Sequence, residues 1–563
     1  MVQRRLRRIV APHATPIEAA MQCVHGGESM ASQGANFSAS RRDVLRMIGL
    51  GAGGAAMYQA MSALGFAQES PRLPARLGRA PAGASVLILG AGLAGMTAAY
   101  ELRAAGYQVQ LLEYNDRPGG RNWSLRGGDS YTELGGARQD CHFDDGLYIN
   151  PGPWRIPHHH RNLLHYCKLL GVPLEPFIQI NYNAYMHASK AFDGKPQRYR
   201  TIDADYRGTV SELLAKAVNQ GALDTPLDHE DREKLLLSLQ VVGALDKDYR
   251  YVQGETSSGV RGYQKDPGGG LDGKPVPSQP ISPHDLLQSG LWLPLLFAHV
   301  YEMQDTLFQP VGGMGRIGEA FGRALGPLIE YHAKVTRIRQ DEHGVTADYV
   351  DARQPGQPRQ ARADWCLCTI PLSVLGQIPM NVGSAMADAI AAVPYAAAFK
   401  VGLQFKRRFW EQDDFIFGGN SYTDLPIGNI GYPCHDYQGS GKGVLLGAYS
   451  WGAPALEFTA MSPAQRVREA VRQGAQIHPQ YTREFDNGIA VAWNRVPFVM
   501  GCFGEWDDAL RAKHYDNLCR IDGRIALAGE HASWLPAWQE GAITSALDAI
   551  GRLHQRAQAG VSA

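Results

Sequence analysis

The hydrophobic pattern is sharpest near residue 85. Ser85-Val-Leu-Ile-Leu89 is a continuous apolar run, Gly90 to Gly95 interrupts it, and a helical stretch to Ala105 leads through Gly106 into Gln108-Val-Gln-Leu-Leu-Glu113. Strand, Gly-rich turn, helix and second strand within about thirty residues predict one βαβ unit of a parallel sheet. Far downstream, Arg524-Ile-Ala-Leu-Ala528 reads as a short buried strand before a terminal helix with Ile543, Leu547 and Ile550 on one side. Between these ends, Trp365-Cys-Leu-Cys-Thr-Ile370 predicts a buried strand, Tyr395 to Phe405 an alternating strand, and Gly443 to Gly452 another. His160 to Leu170, ending at Gly171, reads as a helix, and Asp231 to Leu245 is an amphipathic run. Ser257 to Asp285 is crowded with Gly, Pro and Ser, which predicts a lid or disorder inside a helical insertion.

Composition narrows the class. The chain has 563 residues, 44% hydrophobic and 20% charged, with 55 basic against 55 acidic residues. Two or three domains follow, and disorder and general nucleic-acid binding are excluded. No run of about 18 strongly apolar residues is present, so no stable membrane span is expected. The eight cysteines contain no CxxC, and Cys366 and Cys368 share one face of a buried strand, which predicts packing. His158-His159-His160 is expected at an exposed helix start, where consecutive positions diverge, so no metal site is expected. Asn122-Trp-Ser124 matches the glycosylation pattern by chance.

Ser40-Arg41-Arg42-Asp43-Val44-Leu45-Arg46, the mildly apolar run Met47 to Leu64, and Gly65-Phe66-Ala67 resemble a twin-arginine export signal cut after Ala67. Region 1–67 is therefore expected to address the protein to the twin-arginine machinery, and the mature chain to be periplasmic or secreted. The alternative is a frayed or anchored N-terminal helix. Met1, Met21 and Met30 each offer a start. Twin-arginine systems carry folded proteins, commonly around a cofactor.

The turn Gly90-Ala-Gly92-Leu-Ala94-Gly95 has the chemistry of a dinucleotide site. Gly90 makes the turn, Gly92 lets the backbone approach a pyrophosphate, and Gly95 lets helix and strand close. Glu113 ends the second strand, where it would accept hydrogen bonds from an adenosine ribose. Arg117-Pro-Gly119-Gly120-Arg121, Leu134-Gly135-Gly136-Ala137 and the distant Gly529-Glu530 with Glu540-Gly541-Ala542-Ile543 extend the pattern. Together they resemble the glutathione-reductase-like FAD oxidoreductases; a surface turn is the alternative for the Gly-rich pieces. The resemblance implies an α/β fold with a discontinuous Rossmann-like FAD domain (82–140, 309–395, 515–560). A mixed-sheet substrate domain (141–202, 396–514) and a helical insertion (203–308) complete it. It also places Val335 at the cofactor.

Within that superfamily the chain resembles the flavin amine oxidases, and specifically the L-amino acid oxidases, at four places. Asn150-Pro-Gly-Pro-Trp-Arg155-Ile-Pro157 is similar to a family turn whose arginine grips the substrate carboxylate; a structural arginine is the alternative. Lys400, on the strand through Phe405, stands where family members hold a water against flavin N5; an edge-strand lysine is the alternative. Tyr449 matches a tyrosine giving a second hydrogen bond to the carboxylate. Trp538 matches the tryptophan flanking the flavin face, and Ala537 replaces a glycine whose carbonyl accepts from the amine. The resemblance thus implies Lys400 and Trp538 as catalytic, and Arg155, Tyr449, Trp538 and Ala537 as substrate-binding. Cys502 stands where monoamine oxidases attach the flavin covalently, whereas L-amino acid oxidases bind FAD noncovalently. A noncovalent flavin is expected, with Cys502 as buried packing and a covalent link the alternative. Trp534, Trp538 and Phe308 suggest a bulky apolar substrate side chain.

The resemblance implies hydride transfer from an L-amino acid to flavin N5, with O2 as acceptor, giving a 2-oxo acid, ammonia and hydrogen peroxide. A monoamine or polyamine oxidase, a tryptophan 2-monooxygenase-like enzyme and a non-enzymatic exported flavoprotein are the alternatives. No motif encodes the oligomeric state, with which a homodimer is compatible.

Overall fold

The computed structural model describes residues 77–560; the expected export signal lies outside them. The described chain divides into two compact units, one of Tyr182–Leu296 and one of 77–181 with 297–560.

The larger unit is built on a parallel sheet. Strand β1 is Ser85–Leu89, helix α1 Leu93–Ala105, β2 Gln108–Leu112 and helix α2 Arg161–Leu169. Next come β3 (Ile329–Glu330), the meander β4 (Ala333–Asp341), β5 (Gly344–Asp351) and β6 (Gln354–Ala363), and then β7 (Trp365–Cys368). The strands β8 (Ala398–Phe405), β9 (Asn420–Thr423), β10 (Asn429–Gly431), β11 (Gly443–Trp451) and β12 (Phe485–Ala492) follow. Strand β13 (Ile525–Leu527) and helix α3 (Gln539–Ala559) close the unit.

Parallel pairing gives the order β3-β2-β1-β7-β13. Strands β1, β7 and β13 read as unbroken apolar runs because both their faces are covered. Val86 and Ile88 point into a cluster with α1 and α3, while Leu87 and Leu89 point into another with Val335, Ile338 and Val345 of the meander. Cys366 and Cys368 join the second cluster as core. The other strands form an antiparallel sheet, β9-β10-β11-β8-β12, whose registers place Lys400 opposite Tyr449.

The smaller unit carries helices Tyr199–Asn219, His229–Val242, Glu255–Arg261 and Pro283–Ser289. The Gly/Pro/Ser-rich stretch expected to lack structure is ordered within this unit. It ends the third helix, forms an antiparallel ribbon of Tyr263–Lys265 with Val276–Pro277, and starts the fourth helix. Buried Asp205 is the reason, since it accepts from Tyr251 Oη, from Nε and Nη2 of Arg261, and from the Ile281 N–H, at 2.7 to 2.9 Å.

Candidate active site

At the carboxyl ends of β1 and β7, where open α/β sheets bind ligands, two cavities meet. They share Gly92, Arg121 and Thr369. The smaller, about 560 Å³, is bounded by Gly90, Gly120, Glu113, Val335 and the stacked rings of Tyr114 and Phe498. The larger, about 1340 Å³ and partly open to solvent, runs past Ala94, Gly529, Glu530, Ala542 and Cys502 to Arg155, Tyr449 and Trp538.

This path fits an extended dinucleotide. A Cβ on Gly92 would meet no protein atom within 4 Å, so the backbone stands open to a ligand, whereas one on Gly95 would lie 2.0 Å from the Gly90 carbonyl oxygen. The N-termini of α1 and α3, capped at Gly92 and Trp538 without a side-chain hydrogen bond, both face the larger cavity and favour anionic groups there. Glu113 accepts from the Ala91 N–H at 2.7 Å and from Asn115, fixing the Gly-rich turn to the end of β2. Arg121 pairs with Glu530 at 2.7 Å. Burial pulls the Arg121 pKa down, and Glu530 more than offsets it, leaving it above the usual arginine value. Burial lowers His531, which contacts Tyr395 Oη, to about 4.

The substrate end is built on the loop 150–155. Lys400 Nζ donates to the carbonyls of Asn150 at 3.2 Å and Gly152 at 2.5 Å, and Trp493 Nε1 donates to that of Pro151 at 2.8 Å. Ile156–Pro157 then pairs with Leu307–Pro310, which fixes the residue just before it, Arg155. Its guanidinium lies 6.0 Å from the Trp154 ring and 5.6 Å from the Trp538 ring. Arg155 Nε is buried without a protein partner, and no carboxylate pairs with this side chain among the described residues. Burial lowers its pKa from the usual arginine value. Lys400 sits 4.1 Å from the Tyr449 ring, and burial lowers its pKa to about 7.

Several expected positions need correction. Gly136 and Ala137 lie in the exposed turn of the hairpin Ser130–Thr132 with Arg138–Asp140, where Gly135 and Gly136 take φ of +96° and +87°. Hairpin geometry, not a phosphate, explains that glycine pair; beneath it Glu133 forms a buried ion pair with Arg466. Ile543 packs its side chain into the core cluster with α1. Lys400 stands behind Tyr449, not on the cavity surface. Trp534 is 46% exposed and lies 4.3 Å from the Arg511 guanidinium, and Phe308 packs against the core, so neither shapes the cavity. Trp154, Trp451, Trp493 and Phe503 supply its aromatic walls instead. Cys502 lines the cavity, although it was expected to be buried packing.

The histidine run also differs from expectation. His159 and His160 are 4% and 1% exposed, and their rings converge on Glu302. Sequence reasoning missed Thr369, at the carboxyl end of β7, which the strand-end rule would have found. It also missed the role of Glu540, which accepts from the N–H groups of Asn162 and Leu163 and so caps α2.

Residues 93–553 match the family described as flavin containing amine oxidoreductase. The chain belongs to that family. As a flavin amine oxidoreductase it is an oxidoreductase whose cofactor is FAD. It is 28% identical over 484 residues to an L-amino-acid oxidase of Siganus canaliculatus, covering 84% of this chain and 85% of that one. With an L-amino-acid oxidase of Naja atra it shares 25% identity over 489 residues, 84% and 88% of the two chains. Its fold is similar to cyclohexylamine oxidase from Brevibacterium oxydans IH-35A, with TM-score 0.56 and 18% identity over 84% of this chain and all of that one. Among the described residues, no helix of this amine oxidoreductase is long and apolar enough to cross a membrane.

Proposed function

We propose that this flavoenzyme oxidises L-amino acids to 2-oxo acids, with O2 and water consumed and ammonia and hydrogen peroxide formed. The observation that carries the proposal is Arg155, a guanidinium without a carboxylate partner inside an aromatic cavity. A planar fork of N–H donors matches a carboxylate bidentately, and a simple amine carries no such anion. The L-amino-acid oxidases among its relatives support the same substrate class.

The flavin, when bound, supplies the acceptor for the Cα hydride. The protein's own part is positioning. Arg155 and the Tyr449 hydroxyl hold the carboxylate, Trp538 and Trp154 flank it, and the Ala537 carbonyl stands ready for the amine. Lys400 braces the loop that carries Arg155, and two of its three N–H groups are used for that. No side chain is needed to remove the Cα proton, because the hydrogen leaves with its electron pair.

Two measurements test this. L-Tyrosine is expected to bleach the flavin anaerobically far faster than tyramine; the reverse order would make the enzyme an amine oxidase. Arg155→Ala is expected to keep FAD while raising KM for amino acids about 100-fold or more, because a charge-assisted pair worth roughly 3 kcal/mol is lost. We further propose twin-arginine export on the residues Arg41 and Arg42. Their replacement by Lys-Lys is expected to retain the active enzyme in the cytoplasm, and unchanged export would refute this assignment.

A further inference from the structure

His159 and His160 immediately precede α2, and Glu302 lies in the turn Tyr301–Met303. Because α2 begins at Arg161 and His160 is its cap with ψ of 67°, the two imidazoles do not follow the helical step that would splay them. Their Nε2 atoms lie 3.0 and 2.8 Å from the same carboxylate oxygen, Glu302 Oε2. All three side chains are buried, and their three candidate ligand atoms lie within 4.8 Å of one another. The second carboxylate oxygen, Oε1, is buried with no protein partner.

We infer that His159, His160 and Glu302 form a binding site for one divalent cation of the zinc class. Two imidazole nitrogens and a carboxylate oxygen suit Zn²⁺ and its first-row neighbours better than Mg²⁺ or Ca²⁺, which prefer all-oxygen shells. Bonds of about 2.0–2.1 Å at tetrahedral angles separate ligand atoms by roughly 3.3 Å, so each imidazole nitrogen has to draw back from the carboxylate oxygen by only a few tenths of an ångström. The free Oε1 gives the carboxylate a second way to bind. Both Nδ1 atoms lack a protein acceptor. Without that outer support the affinity is about 10–100-fold lower than in a fully buttressed site, so the ion exchanges with chelators.

The place of the site gives it a structural consequence for the substrate cavity. The His160 ring meets Trp538 edge-on at 5.2 Å, and Met303, next to Glu302, lines the cavity. An ion here joins the start of α2 to the 301–303 turn behind that wall.

The test uses the FAD-loaded enzyme, dialysed against chelator, given equimolar zinc chloride and passed through gel filtration. Elemental analysis is expected to give about one zinc per flavin, and at least about tenfold less in Glu302→Gln and in His159→Asn at unchanged flavin content. Zinc-edge X-ray absorption of the unmutated enzyme is expected to show two imidazole nitrogens with oxygen at about 2.0–2.1 Å. Less than about 0.1 zinc per flavin, or equal zinc in all three proteins, overturns the site. If the variants fold poorly, an absorption shell without two imidazoles overturns it alone. Zinc is counted against flavin and not against turnover, so the outcome is independent of the substrate assignment.

Discussion

Lys400 allows a quantitative test of burial at the site. It is 2% exposed, and its pKa falls from 10.5 to about 7 because burial removes water from the ammonium. That difference corresponds to about 5 kcal/mol of destabilisation where the unfolded chain and the native state would both carry the charge. A folded pKa below the unfolded one means that the unfolded chain binds the extra proton between pH 7 and 10.5. Stability from this group is therefore lowest below pH 7 and rises towards 10.5, with about 2 kcal/mol regained between pH 7 and pH 9. Lys400→Met removes the titration. It also leaves the Asn150 and Gly152 carbonyls without their donor, a loss of about 1–3 kcal/mol each. Because that offset is the same at both pH values, the decisive quantity is the slope. Denaturant unfolding of the FAD-saturated proteins at pH 7 and pH 9 measures it. The unmutated enzyme is expected to gain about 2 kcal/mol on the variant over that interval; parallel pH dependence of the two would refute the buried, half-titrated lysine.

Three further predictions follow from the cradle. Gly92→Ala is expected to leave apoprotein stability nearly unchanged but to cut flavin content, since its Cβ meets only ligand space, while Gly95→Ala clashes with the Gly90 carbonyl and lowers the melting temperature itself. Apoprotein melting and flavin absorbance separate the two outcomes. Acid precipitation is expected to release yellow flavin into the supernatant, because burial pushes the Cys502 thiol up to about 12 and leaves little thiolate for a covalent link; a yellow pellet would reverse this. Ala537 takes φ of +69°, so Ala537→Gly is expected to stabilise the fold by about 0.5–1 kcal/mol, the left-handed strain relieved exceeding the added unfolded-state entropy. Unfolding free energies that fall in the variant would exclude strain at this turn.

Strands β1, β7 and β13 were legible because covering on both faces leaves an unbroken apolar run, and Glu113 because it directly follows β2; Arg155 and Tyr449 were found only through the family resemblance of the segments that carry them. The Gly135-Gly136 pair misled for a physical reason. A hairpin turn and a phosphate cradle both demand positive φ, and the glycine records the demand without its cause. His159 and His160 misled through a boundary: two residues outside α2 their rings are free to converge, and two residues inside they are not. The order of 257–285 depends on Asp205, more than fifty residues upstream, a long-range contact that no local composition carries.

The sheet order has a consequence for synthesis. Strand β13 and helix α3, which bring Gly529 and Trp538 to the larger cavity, leave the ribosome long after the β1–α1–β2 unit that precedes Glu113. The 412 residues from Glu113 to Ile525 take about 20–80 s to translate at ordinary rates. Throughout that interval the growing polypeptide has an unfinished nucleotide pocket with an open strand edge. Flavin capture therefore waits until β13 pairs with β7 and closes that edge.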